Sequence, residues 1–266
     1  MRIARAMAGG VLLLIVLAAL WPSAITSVPY DRQFRDYPNA PMSRQFPLGT
    51  DELGRDRLSR LLYGTRVSLL AAPTAAFVST LLAAFVGGLA GYLGGWCDRL
   101  AGTVIDLMLS LPWLFLLITV RAILPLNVPP LVSLVVTFGL IGLLGWPSAA
   151  RVVRAGCRAL RGSDMVLEAE ACGVAGRRIL FKHVLPNVRP VLVAKFWVSI
   201  PVYILAEANL GLLGLGVADP LPSWGNLLRQ LESGLNHDPG AWAPLVLIVI
   251  VVGCLQIARP AEAAAR

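Results

Sequence analysis

Histidine and cysteine are scarce in this chain, and the scarcity excludes several kinds of site. Among 266 residues there are two histidines and four cysteines. Neither type shows metal-ligand spacing, so a histidine-based metal or catalytic centre is not expected. We interpret the cysteines as small apolar residues, because none is predicted to lie in an external loop where a disulfide would persist.

Sequence patterns that mark several enzyme classes are also missing. The chain has no GxxxxGK[ST] phosphate-binding loop, so it is not expected to bind ATP by that device. It has neither HExxH nor GxSxG, and no apolar stretch carries a paired histidine–carboxylate cluster. An intramembrane enzyme is therefore a weak alternative, and no catalytic, cofactor or metal residue is predicted on this chain.

Charged residues are few, whereas apolar residues are abundant. Only 14% of the residues are charged, 57% are hydrophobic, and the mean hydropathy is +0.72. Soluble domains contain about 25% charged residues, so the composition indicates a polytopic membrane protein. The net charge of +8 is then typical of basic cytoplasmic loops rather than of nucleic-acid binding.

Six apolar stretches approach the roughly 20 residues needed to cross a bilayer: 7–22, 67–93, 104–124, 131–150, 191–213 and 242–257. They predict an all-α protein with six transmembrane helices. Its divisions would be a first transmembrane helix at 1–22, an external segment at 23–66, a five-helix transmembrane domain at 67–258 and a tail at 259–266. The first stretch also fits a signal peptide, which remains the less favoured alternative.

The basic residues predict which side of the membrane each loop faces. Residues 151–189 hold eight basic residues against three acidic ones, Asp164, Glu168 and Glu170. Because basic loops stay in the cytoplasm, this segment and both termini are predicted to be cytoplasmic. The external segment holds seven arginines of its own, but its length weakens the rule there.

Two local patterns predict how helices begin and pack. Thr50 can cap a helix whose first turn carries Asp51 and Glu52, and this amphipathic helix is expected to lie along the membrane surface. Small residues recur every four positions on the second span and should allow close helix packing: Ala83, Gly87, Gly91 and Gly95.

A charged elbow, residues 163–187, separates the fourth and fifth spans. Ser163 is a plausible helix N-cap, the helix should run to Cys172, and Gly173 should stop it. A second short helix near 176–184 should end before Pro186. The elbow fits either a partner protein's groove or an ordinary basic inner loop, and the pattern alone does not favour one over the other.

The elbow and several further blocks resemble one family. An alanine-rich helix followed by Gly173 and then by Leu185-Pro186 resembles the EAA motif of binding-protein-dependent ABC transporter permeases. The blocks "FPLGTDELGRDRLSRLLYGTRVSL", "GYLGGWCDRLAGTVIDLMLSLPWLFL", "WPSAARVVRA" and "AEANLGLLGLGVADPLPSWGNLL" resemble, in order, the "C"-type permeases of the dipeptide/oligopeptide/nickel subfamily. Leu167 stands where the motif's leading glutamate is usual, which puts an ionic role of that position in doubt.

The resemblance implies a type I ABC importer permease fold and a multi-pass location in the cell (inner) membrane. It also implies four kinds of partner: a second permease subunit, two ATP-binding subunits that hold the ATP, an extracytoplasmic solute-binding protein and the lipid membrane. The expected cargo is a di- or oligopeptide, with nickel or another small solute as the alternative. An ion-coupled secondary transporter is less favoured, since no inverted repeat is visible and the elbow would have no purpose. Coupling to the ATPase is expected to involve Glu168, Ala169, Glu170, Ala171, Gly173, Arg177, Arg178, Leu185 and Pro186.

The remaining candidate residues lie on the outer half or within the spans. Glu207 and Asn209 could line the translocation path, or Glu207 could pair with a neighbouring helix. Arg121 and Lys195 lie close enough to helix ends for their charged groups to reach the interface. A surface for the binding protein, or alternatively a structural element of the gate, is expected at Asp51, Arg55, Asp56 and Trp224.

Overall fold

The computed structural model describes residues 2–234 and 239–258. In these ranges the chain forms helices joined by turns, and the only β pairing is two isolated bridges, Gln33 with Arg55 and Thr50 with Asp56. The helices are α1 (Arg2–Leu20), α2 (Arg57–Leu93), α3 (Gly95–Ser110), α4 (Trp113–Ile123), α5 (Pro130–Gly145), α6 (Pro147–Arg161), α7 (Asp164–Ala171), α8 (Gly176–Ile179), α9 (Leu185–Leu212), α10 (Trp224–Gly234) and α11 (Ala243–Ile257). The predicted tail at 259–266 lies outside the described residues.

The all-α fold with six spans is confirmed, with one span bent. Five helical stretches are long and apolar enough to cross a membrane: Arg2–Leu20, Arg57–Leu93, Pro130–Arg161, Gly176–Leu212 and Pro239–Ile257. Helices α3 and α4 form a sixth if the pair is counted as one, but they meet at 85°. The prediction of one straight helix over 104–124 is therefore wrong. Pro112 disfavours helical geometry at the residue before it, and Leu111 is extended, with φ −90° and ψ 138°.

The predicted surface helix beginning near Thr50 is also wrong. Asp51 closes a turn instead, and its carboxylate accepts hydrogen bonds from the backbone of Leu53 and Arg55 at 3.0 and 2.8 Å. Asp56 provides the cap, because its carboxylate accepts the Ser59 N–H at 3.0 Å. The helix that starts at Arg57 then continues without interruption to Leu93 as the second span.

Pro186 does not end the helix that leaves the elbow. Helix α8 passes into one π-helical stretch, Leu180–Val184, and then into α9, which contains Pro186 itself. A proline ring in a regular α-helix would clash with the carbonyl four residues earlier. The wider π turn directly before Pro186 lets the chain continue as a helix, and the fifth span therefore begins inside the elbow.

The described residues fall into two compact units. The first comprises Met1–Ala72, Ile118–Gly139 and Pro201–Ala258, and the second comprises Pro73–Leu117 and Leu140–Ile200. In the first unit α1 packs along α11, and α10 also contacts α11.

In the second unit, small residues of α2 let α6 approach closely. A Cβ atom added at Gly87 would lie 2.5 Å from the Ala150 carbonyl oxygen, and one at Gly91 would overlap the Arg154 carbonyl oxygen. Ala83 is also buried against α6. Gly95 does not extend this face, because it begins α3 and a Cβ there would contact nothing within 4 Å. The predicted packing stripe thus holds over three of its four positions.

Candidate functional site

The elbow of the second unit begins with a short helix, α7. Ser163 stands at the predicted N-cap position with an extended backbone, and its side chain makes no capping hydrogen bond. Its hydroxyl instead donates to the Leu160 carbonyl oxygen at 2.6 Å. The Ser163 carbonyl accepts the first helical bonds, from the N–H groups of Val166 and Leu167 at 3.0 and 3.1 Å. The predicted start is therefore right, although the side chain turns back to α6.

The end of α7 is fixed by Gly173. The Val174 N–H donates to the Ala169 carbonyl at 3.0 Å, and the Gly173 N–H donates to the Glu170 carbonyl at 2.9 Å. This pair of bonds is a Schellman cap, which places the residue after the helix in the left-handed region. Gly173 has φ +74°, and apart from its two chain neighbours no atom of the described residues would lie within 4 Å of a Cβ there. Within the chain, glycine is therefore required at this position because the backbone is left-handed, and not because a Cβ atom would clash.

One side of the elbow is anchored by an apolar core. Its fully or nearly fully buried members come from the end of α2, from α6, from α7 and from the α8–α9 region. Ala169 and Leu185 pack at its edge. An eight-residue helix is too short to be stable alone, so this core holds α7 in place. The buried members are Tyr92, Val153, Cys157, Val166, Ile179, Leu180, Val184 and Val188.

The opposite side of the elbow is open. The side chain of Leu167 is 52% exposed, although it is apolar. Seven of the nine predicted coupling residues are exposed as well, whereas Ala169 and Leu185 are half-buried. The exposed ones are Glu168, Glu170, Ala171, Gly173, Arg177, Arg178 and Pro186. The elbow is thus a compact knuckle, with apolar anchors beneath and a mixed apolar and charged surface outside.

In the first unit, four charged side chains join the external segment to the loop that follows α9. Asp51 binds Arg55 at 2.6 Å, and Arg60 lies 3.7 Å from the same carboxylate oxygen. Asp219 then bridges Arg55 and Arg60, with both distances 3.2 Å. Arg60 is fully buried, whereas the Asp219 side chain is half exposed. Sequence reasoning missed Arg60 and Asp219, and a contact across about 160 residues gives no local signal.

Trp224 is completely buried at the start of α10. Its backbone N–H donates to the Ser68 hydroxyl at 3.1 Å, and its ring N–H donates to the Thr65 hydroxyl at 3.0 Å. Asp51, Arg55 and Asp56 are buried too, at 5% exposure or less. In this conformation the four candidate surface residues present almost no area to another protein, which favours the alternative that they form a structural element of the gate.

Glu207 and Asn209 point to different surroundings. Glu207 is fully buried, and its carboxylate accepts the Gly225 N–H at 3.2 Å. The first N–H groups of a helix have no partner within the helix, so this bond satisfies one of them in α10. Asn209 is exposed, and its amide donates to the Leu205 carbonyl at 2.7 Å. The contact of Glu207 supports the interpretation that this residue pairs with a neighbouring helix.

The position of Arg121 differs from the one expected from the sequence. It was expected to extend to the membrane interface, but it is only 1% exposed. One of its nitrogens, Nη2, donates a long hydrogen bond of 3.4 Å to the Ser133 hydroxyl. The apolar sequence around Arg121 gave no sign of an internal polar neighbour.

Comparisons with known proteins agree with this architecture. Residues 68–258 match the family described as "Binding-protein-dependent transport system inner membrane component". The chain is 38% identical over 244 residues to the di/tripeptide transport system permease protein DppC of Pseudomonas aeruginosa, covering 88% of this chain and 77% of that protein. It is 34% identical over 235 residues to the glutathione transport system permease protein GsiD of Pectobacterium atrosepticum, covering 87% and 75%.

A third relative and one solved structure extend the comparison. The oligopeptide transport system permease protein OppC of Mycobacterium bovis is 33% identical over 259 residues, covering 96% of this chain and 87% of that protein. A structure of the MetNI methionine ABC transporter in an inward-facing conformation matches 75% of this chain and 92% of its own, with a TM-score of 0.55 and 20% identity. At that identity the likeness concerns the fold. The chain belongs to the binding-protein-dependent transport system inner membrane components, as a permease subunit of an ABC importer.

Proposed function

We propose that this chain forms half of the translocation pore of an ATP-driven importer of di- or oligopeptides. The names of its relatives support this cargo, because they are described as permease proteins for di/tripeptides, oligopeptides and glutathione. A second permease subunit completes the pore, two separate subunits bind ATP, and an extracytoplasmic protein delivers the solute. We expect this chain to hold no cofactor itself.

The proposal that ATP-binding subunits in the cytoplasm drive the pore is based on the knuckle at the elbow. Its core fixes α7 to the beginning of the fifth span, so a displacement of α7 is transmitted to α9 through packed side chains. Its open face holds an exposed leucine beside alanine and glycine, which suits insertion of a short helix into a groove. We assign that groove to the ATP-binding subunits.

The proposed orientation puts the elbow and both termini in the cytoplasm and residues 23–66 outside. The exposed Cys172 of the elbow provides a direct test. In a chain whose other exposed cysteine, Cys97, is replaced by serine, a membrane-impermeant maleimide should label Cys172 in inverted vesicles and not in right-side-out vesicles. Arg44→Cys, at an exposed position of the external segment and in a chain with both Cys97 and Cys172 replaced by serine, should show the opposite pattern. Labelling of both from the same side contradicts the orientation.

Reconstitution tests the activity. Proteoliposomes containing this chain, its second permease and the ATP-binding subunits should accumulate a labelled di- or tripeptide only when ATP and the loaded binding protein are present. Liposomes with this chain alone are the control and should accumulate nothing. Uptake without the ATP-binding subunits contradicts an ATP-driven pore. Accumulation of nickel ions with no peptide uptake would replace the cargo assignment and keep the mechanism.

A further inference from the structure

A buried arginine without sufficient acceptors lies in the first unit. Among the described residues, the Nε and Nη1 atoms of Arg121 have no hydrogen-bond partner, and the residue is 1% exposed. Its Nη2 atom has the hydroxyl of Ser133, which also binds the loop after α9 through the Gly216 carbonyl and the Ala218 N–H. A guanidinium cannot lose its charge in a protein, and a buried charge left without a partner is strongly destabilising. The position therefore suits a negatively charged group that these residues do not supply.

Arg121 lines a cavity of about 110 Å³. A cavity that holds one water molecule has a volume of only about 10–15 Å³, so this cavity admits a larger polar group. The cavity is bounded by the end of α9, the loop 214–219 and the side of α10. Leu126 and Arg229 also line it and are exposed, so the cavity reaches the surface of the chain.

The charge of the cavity wall is positive. Its charged side chains are Arg121, Arg229 and Asp219, which are two cations against one anion. The anion is already bound by two arginines outside the wall, Arg55 and Arg60, each at 3.2 Å. The Arg229 guanidinium lies over Gly214, where a Cβ would be 3.0 Å from its Nη1 atom. An anion entering the cavity would meet Arg121 at its buried end and Arg229 at its mouth.

We propose that this cavity is a carboxylate-binding site, with Arg121 as the binding residue and Arg229 at the entrance. A guanidinium presents paired N–H groups that match the two oxygens of a carboxylate. The partnerless Nε and Nη1 atoms of Arg121 lie on different edges of the guanidinium, and each is paired on its edge with one N–H of Nη2. Since Nη2 makes a single long bond to Ser133, one complete edge is left for a carboxylate. The volume fits a carboxylate group with a short stem and not a whole peptide. The ligand is therefore a small free carboxylate or the terminal carboxylate of a cargo molecule. The second source rests on the proposed peptide import.

Chemical protection tests the binding without reference to transport. Leu126→Cys places a thiol on the cavity wall, in a background where the exposed Cys97 and Cys172 are replaced by serine. The assembled complex in nanodiscs is treated with a methanethiosulfonate that carries a sulfonate. Acetate should slow the modification, whereas acetamide, or chloride at equal ionic strength, should not. Equal rates in acetate and acetamide overturn the proposal, and protection by inorganic phosphate without protection by acetate overturns the choice of carboxylate.

Arginine variants identify the binding group. Arg121→Gln should raise the acetate concentration needed for protection by about tenfold or more, as expected for loss of hydrogen bonds to a charged group. Arg229→Gln should give a smaller increase, and Arg99→Gln, at an exposed position of α3, should give none. Unchanged acetate protection in Arg121→Gln contradicts the assignment. The comparison of acetate with acetamide in the presence of Arg121 remains decisive if this variant does not fold.

Transport then distinguishes the two sources of the carboxylate. Proteoliposomes are supplied with trialanine or trialanine amide under saturating binding protein and ATP. If the cargo terminus occupies the site, Arg121→Gln should lower the ratio of acid to amide uptake about tenfold, whereas Arg99→Gln leaves it unchanged. An unchanged ratio together with acetate protection assigns the site to a small free carboxylate. Absence of uptake of either peptide contradicts the proposed peptide import and leaves the protection result standing.

Discussion

Replacing Gly173 at the end of α7 should separate two reasons for a glycine at that position. One reason is internal, since Gly173 has φ +74° and closes the Schellman cap. The other would be external, if a partner subunit packs closely on the knuckle. Three substitutions distinguish them, because asparagine tolerates the left-handed conformation, alanine does not, and tryptophan adds bulk to the same strain.

The structure gives the expected magnitudes. Alanine in the left-handed region costs about 1–2 kcal/mol, which corresponds to a factor of about 5–30 in the population of the capped knuckle. Apart from its two chain neighbours, no atom of the described residues lies within 4 Å of a Cβ at Gly173, so a larger side chain there starts into open space. We expect a loss in Gly173→Trp beyond that of Gly173→Ala to come from a partner surface packed on the knuckle.

The assay is ATP hydrolysis stimulated by the loaded binding protein, measured on the complex in nanodiscs together with peptide uptake. Gly173→Asn should stay close to the unsubstituted complex, Gly173→Ala should weaken coupling by up to the factor above, and Gly173→Trp should abolish it. Gly162→Ala is the matched control, because Gly162 has φ −89° and its nearest neighbour to a Cβ is 3.9 Å away. Equal behaviour of the alanine and tryptophan variants refutes close packing of a partner, and full coupling in the tryptophan variant refutes both reasons.

Three further changes test the packing and the caps. Gly91→Ala should lower the thermal stability of the complex, since forcing a methyl group against the α6 backbone costs about 1–3 kcal/mol. The control Gly139→Ala, with open space around its Cβ, should not lower it. Equal melting temperatures of the two variants contradict the close contact at Gly91. Asp56→Ala should cost about 1 kcal/mol as a lost N-cap, and Asp56→Asn should retain the cap. Glu207→Ala should lower thermal stability by freeing the Gly225 N–H and should not change cargo preference; a changed preference with unchanged stability instead favours a role in the translocation path.

The Asp56 carboxyl also gives a dependence on pH. Burial raises the pKa of Asp56 above its ordinary value of 3.8, against the smaller opposing effect of backbone hydrogen bonds at Ser59 and Leu58. A raised pKa means that the folded chain binds the proton more tightly than the unfolded chain does. As the pH falls through the raised pKa towards 3.8, the protein should therefore gain stability relative to Asp56→Asn. A difference that stays constant over that window contradicts this origin of the shift.

Composition and periodicity predicted the class of the protein well. Apolar stretches near 20 residues have few alternatives to membrane helices, so the all-α fold and the number of spans followed from the sequence. Local rules also located the elbow, because Gly173 and the alanine-rich turn before it act through neighbours within five residues. The same local rules failed at Pro186 and Thr50. A π turn accommodated the proline, and Asp56 capped the helix in place of the threonine.

The sequence by itself determined that this chain is a multi-helix membrane protein with a capped, basic knuckle between two spans, because those features depend on hydrophobicity and on bonds between near neighbours. Only the tertiary structure decided which charged residues are buried together. The ion pairs of Arg60 with Asp219 and the cavity at Arg121 join segments far apart in the chain. Whether a charged side chain is paired, caps a helix or is left for a ligand depends on the atoms that the fold brings within about 3 Å of it. The separation of two residues along the sequence does not predict that distance.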